Sequence, residues 1–182
     1  MPSLSSLLRH RSPPRAPSLP PVRVLLAGAA VVGGAFASPS PLAAQQLPPA
    51  KATALTAVES LRGELHDLSM EIWQHAELAL AEDASARALA DFLEAEGFRV
   101  ERGVADMPTA VVATFGSGRP VIGVLAEFDA LPGIGNAAVP RKEARADGYP
   151  HGHGCGHNVF GAASATAAVA LKRTMEAHGL AG

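Results

Sequence analysis

The sequence predicts an α/β fold, and three features carry that expectation. An apolar stripe recurs at steps of three and four from Leu55 to Ile72, the spacing of an amphipathic helix. The run Val121–Ala126 is uninterruptedly apolar, as in a strand covered on both faces in the middle of a sheet. The stretch "NVFGAASATAAVALKRTMEAHG" reads as a helix with a surface of small residues, able to lie close against such a sheet. The chain of 182 residues suffices for one modest domain, and 48% hydrophobic against 18% charged residues excludes a disordered class. A formal net charge of −2 gives no ground for a nucleic-acid partner.

The first element is a leader. No acidic residue precedes Glu59, whereas Arg9, Arg11, Arg15 and Arg23 are basic. Val24–Ala37 follows as an apolar run too short and too glycine-rich for a permanent membrane span. Basic segment, short apolar core and small residues form the layout of a secretory signal peptide. Residues 1–44 are therefore expected to be removed, with cleavage after Ala44 or after Ala37, and the product exported to a periplasm or secreted. A mitochondrial-type or merely disordered basic leader shares part of this pattern. Residues 45–52 read as a tether and 53–182 as the folded part.

Within that part, Leu55, Val58, Leu61, Leu65, Leu68 and Ile72 predict one long helix, which Trp73 extends or caps. A second helix is expected over "DASARALADFLEAEGF", with Leu89, Phe92 and Leu93 as its buried face. Asp83 or Ser85 would cap its start, and Gly97 stands where helices end in a left-handed residue. Strands are expected in "FRVERGV", "TAVVATF" and "RPVIGVLAEFD", with "GSGRP" as a turn. Asp129 then falls just beyond a strand, where open α/β sheets build their sites. Residues 130–157 form a loop long enough to suggest function. Asn158 is the natural N-cap of the following helix, which Gly161, Ala163, Ala165 and Ala167 keep slim.

That loop ends in "YPHGHGCGHNVFG". Cys155, the single cysteine, and His157 are suitable donors for a divalent ion, and their i, i+2 spacing puts both on one side of an extended loop. Glycines 152, 154 and 156 would let the backbone approach the ion. Three readings stand open on the tract alone: a solvated polar loop, a non-catalytic metal-binding loop including His151 and His153, or half of a catalytic metal site.

In order and spacing, "EIWQHAEL", "DMPTA", "FGSGRPVIG", "EFDALPG" and "GHGCGHNVFG" resemble the zinc- or manganese-dependent amidohydrolases related to aminoacylase, hippurate hydrolase and the auxin-conjugate hydrolases. The branch of aminobenzoyl-glutamate hydrolase B subunits and similar dipeptidases is the nearest in pattern. The resemblance runs from about Leu61 to Gly179. It implies an α/β metallo-exopeptidase (zinc peptidase-like) catalytic domain, of which this chain holds the N-terminal portion, apparently truncated. It also implies two divalent metals, Zn or Mn, with Cys155 and His157 as ligands, and Asp129 as a carboxylate that orients an imidazole ligand. The activity implied is hydrolysis of an amide in N-acyl amino acids, dipeptides or aminobenzoyl-glutamate-like substrates by a homo-oligomeric parent. The general-base glutamate and further ligands of the family follow the segment matched, so the isolated chain is expected to be inactive. Glu127 and Glu143 do not match those motifs. The alternative is a non-catalytic, exported metal-binding fragment.

Overall fold

The computed structural model describes residues 47–182, so the expected signal peptide lies outside the described residues. The chain order is α1 (Pro49–Ser60), α2 (Arg62–His75), α3 (Asp83–Ala95), β1 (Arg99–Arg102), β2 (Val111–Thr114) and α4 (His157–His178), with a short 3-10 turn at Val104–Asp106.

The tether is shorter than expected, because α1 begins at Pro49, with proline in the first turn where its missing N–H costs nothing. The expected single long helix is two. They meet at Leu61, whose φ of −94° and ψ of 3° leave the helical region. Ser60 donates its hydroxyl back to the Ala57 carbonyl and Gly63 follows, two features that weaken a helix at this point. Leu61 is fully buried, so the joint turns inward. Beyond it the stripe holds at Leu68 and Ile72, whereas Leu55 and Val58 are exposed and Ala57 takes the buried position on α1.

The core joins α1, α2 and α3 to α4. Ala57, Leu61, Leu68, Ile72, Leu89 and Leu93 meet Ala162, Ala165, Val169 and Ala170, and Phe92 packs against this cluster from its half-buried edge. On α4 the small face is Gly161, Ala162 and Ala165, while Ala167 is exposed. Each fully buried leucine, isoleucine or valine contributes about 1.5–3 kcal/mol relative to an exposed one.

The caps of α3 differ from expectation at one end. Its C-terminus closes as anticipated: Gly97 has φ +85°, its N–H bonds the Glu94 carbonyl, and the Phe98 N–H bonds that of Leu93. Its N-terminus is capped by neither Asp83 nor Ser85. The Glu77 carboxylate accepts from the Ala84 and Ser85 amides, at 2.9 and 2.8 Å, and from the Ser85 hydroxyl.

Strands β1 and β2 pair antiparallel, from Arg99 opposite Thr114 to Arg102 opposite Val111. The third expected strand does not form among the described residues. Val121, Ile122 and Leu125 are 84%, 70% and 72% exposed, so this run is not covered on either face as the pattern suggested. A strand exists only by pairing, and the described residues place no third strand beside β1 and β2. The segment is instead laid along α4. Ser164 donates its hydroxyl to the Leu125 carbonyl at 2.8 Å. A Cβ at position 161 would lie 3.1 Å from both Glu127 O and Phe128 Cβ, so Gly161 is what allows this close approach.

No helix among the described residues is long and apolar enough to cross a membrane.

Candidate metal centre

Two chain segments, anchored to the end of α2 and to the residues just beyond it, converge on one place. The first runs up to Asp129. The Ala130 N–H donates to the Glu77 carbonyl at 2.7 Å, and Ala130 bridges Leu78 in parallel, which fixes the carboxylate-bearing residues just before it. The second is the loop through the His/Cys tract, whose limbs are tied by reciprocal Leu131–Gly152 bonds. The tract's glycines serve this folding. A Cβ at 152 would meet the Ile134 carbonyl at 2.8 Å, and one at 154 the Ile134 side chain at 2.5 Å. They make room for the neighbouring limb, where the sequence suggested an approach to an ion.

Gly156, at φ +81°, turns the chain into α4, and His157 is the first helical residue. Asn158 is therefore not the N-cap. It is buried in the first turn and donates to the Ser69 carbonyl and hydroxyl, at 3.3 and 3.1 Å, locking α4 to α2.

The His157 ring sits between two carboxylates. Nδ1 is 2.8 Å from Asp129 Oδ1, and Nε2 is 3.2 Å from Glu127 Oε2. The three donor atoms lie within 4.8 Å of one another. A neutral imidazole has one N–H. If it serves Asp129, the Nε2 lone pair faces a carboxylate oxygen, an arrangement that calls for a cation or a proton between them. Donors bound at about 2.0–2.1 Å to one tetrahedral ion stand roughly 3.3 Å apart. The Nε2–Oε2 separation of 3.2 Å is close to that spacing, so the residues present fit a zinc-like ion.

The structure brings Asp129 and His157 together but leaves Cys155 outside this group, with its thiol free and exposed. Glu127 is the residue that sequence reasoning set aside. Its signal was the i, i+2 spacing to Asp129 in "EFD", which in an extended segment turns both side chains the same way. His153 does not join the group either. Its Nε2–H donates to the Ile72 carbonyl at 3.1 Å, and its Nδ1 is buried without a hydrogen-bond partner. Burial pushes its pKa down, against the opposing pull of the Ile72 carbonyl. His151 Nδ1 is likewise buried and unpartnered, with its ring edge-on to Tyr149.

Comparison with known proteins gives no matching family model. The chain is 41% identical over 126 residues to the B subunit of p-aminobenzoyl-glutamate hydrolase from Escherichia coli (strain K12), covering 69% of this chain and 26% of that protein. It is 30% identical over 132 residues to the Xaa-Arg dipeptidase of Homo sapiens, covering 65% of this chain and 26% of the relative. A solved chain assigned as an aminohydrolase, from methicillin-resistant Staphylococcus aureus, superposes with a TM-score of 0.56 at 25% identity, over 72% of this chain and 32% of that one. The chain thus spans about a quarter of the length of the curated relatives it matches.

Proposed function

The chain is a relative of the amidohydrolases represented by aminobenzoyl-glutamate hydrolase and Xaa-Arg dipeptidase, and on that premise we propose that it carries part of a metal-dependent site for amide hydrolysis. The observation that carries the reading is the His157 imidazole set between Asp129 and Glu127. Asp129 holds the ring by its Nδ1 side and fixes the tautomer, which leaves Nε2 as the donor. His157 and Glu127 hold the ion from this chain, and Cys155, two residues before His157, is proposed as a further ligand that reaches it by a local loop adjustment. A bound divalent ion, zinc or manganese, supplies a Lewis acid that polarises the amide carbonyl and lowers the pKa of water. A family centre of two metals needs more donors than this cluster supplies.

The proposed substrate class is an amide joining an acyl or aminoacyl group to an amino acid, as in aminobenzoyl-glutamate, N-acyl amino acids and dipeptides. Residues 1–44 are proposed to direct export, so that N-terminal sequencing of secreted protein finds Ser38 or Gln45 first.

Binding and turnover are tested separately. Cobalt or manganese added to the 182-residue chain should bind, and His157→Ala should weaken that binding at least about tenfold. Any hydrolysis of the substrates above should vanish on chelation and return with metal. Metal binding indifferent to His157, or hydrolysis that survives a chelator, overturns the reading.

A further inference from the structure

The sequence of the site loop contains an arginine that the metal reading does not use. Arg145 lies midway along it, yet its side chain is only 8% exposed. Nη1 donates to the Trp73 carbonyl at 3.2 Å and Nη2 to the Gln74 carbonyl at 3.0 Å, two acceptors in the last turn of α2. Nε and Nη2 also donate to Asp147, at 3.0 and 2.6 Å. The guanidinium carbon stands 4.7 Å from the Trp73 ring centre and 5.7 Å from that of Tyr149. One planar cation therefore closes a helix end, braces its own loop through Asp147, and lies near the faces of two aromatic rings.

The neighbouring carbonyl, Ile72, receives His153 at 3.1 Å, and one turn earlier Ser69 receives Asn158. Side chains from 145–158 thus occupy Ser69, Ile72, Trp73 and Gln74 in succession along α2. The next residues, Glu77 and Leu78, hold the Asp129 segment through Ala130. The end of α2 and the three residues that follow it are the common template for both halves of the cluster, and Arg145 alone donates to two of the helix's last carbonyls. Carbonyls at a helix C-terminus lack intrahelical partners and carry partial negative charge, so a buried fork of N–H donors is matched to them.

We infer that Arg145 is a positioning residue for the metal centre: it seats the loop carrying Cys155 and His157 on the end of α2 and thereby sets the geometry of donors it does not touch. The inference rests on the proposed metal reading for its functional meaning, but its structural half is measurable without metal.

The experiment compares the native chain with Arg145→Ala, Arg145→Lys and, as a control on the same loop, Arg141→Ala, which removes a side chain engaged in an exposed pair with Glu143 and leaves the backbone bonds of residue 141 in place. Amide hydrogen exchange over residues 146–156 reports loop seating. The cobalt absorption spectrum and titration report donor geometry. Arg145→Ala should speed exchange about tenfold or more and weaken cobalt binding by about 10–100-fold, with an altered spectrum and unchanged helix content. Arg145→Lys keeps the charge without the fork and should fall between, and it decides the matter if the alanine variant fails to fold. Arg141→Ala should match the native chain. Native exchange and cobalt spectrum in a folded Arg145→Ala or Arg145→Lys overturn the inference. If the native chain binds no cobalt, the metal reading fails, and the exchange rates alone then decide whether Arg145 seats the loop.

Discussion

Asp147 is exposed, yet its hydrogen bonds to Arg145, supported by the Tyr149 amide, lower its pKa from the usual 3.8 to about 2. A carboxyl held below its unfolded value favours the folded state wherever it is ionised. That contribution is complete above pH 3.8 and is lost as pH falls from there through about 2. Carboxyl NMR titration should therefore give Asp147 a midpoint near 2, and Arg145→Ala should raise it toward 3.8, with the Tyr149 amide holding it below that value. The individual residues were unevenly legible. Asp129 and His157 stood out because short motifs and chemistry singled them out. Glu127 did not, because its part in the cluster depends on where an extended segment lies against α4. Arg145 was invisible for a related reason: its partners, Trp73 and Gln74, are more than 70 residues away in sequence.

At the scale of elements, the C-terminal close of α3 was legible, whereas its N-terminal cap, the expected Asn158 cap of α4 and the break at Leu61 were not. Gly97 and Phe98 end α3 through bonds within six residues, so the sequence pattern displayed them. The start of α3 depends on Glu77, which reaches across a turn containing Leu80 at φ +66°. Burial raises the pKa of Glu77, but the Ala84 and Ser85 amides and the Ser85 hydroxyl outweigh that and leave it lowered overall. Glu77→Ala removes the acceptor for two amides and one hydroxyl and should destabilise the fold by about 1 kcal/mol, within the range for lost caps. Urea denaturation checks this, and a midpoint unchanged from the native chain would remove Glu77 as the cap. The break at Leu61 was likewise hidden, since the apolar stripe continues through it and only the weak signals of Ser60 and Gly63 mark it.

For the molecule as a whole, the α/β character was legible, but the role of Val121–Ala126 was not, because an apolar run states that burial is favourable without stating by what. Val121, Ile122 and Leu125 form an exposed apolar segment. Light scattering of the 182-residue chain should show association rising with concentration, and Ile122→Lys with Leu125→Lys should suppress it without changing helix content. The separation of the cluster's supports along the chain also governs the order of events in time. His157 meets Asp129 across 28 residues, and Arg145 meets Gln74 across 71, non-local contacts of the kind that form late in folding. A metal held at the proposed centre would therefore act as a latch on the finished fold and not as a guide to it. In stopped-flow experiments, cobalt should leave the refolding rate unchanged and slow unfolding by the factor that its binding adds to stability.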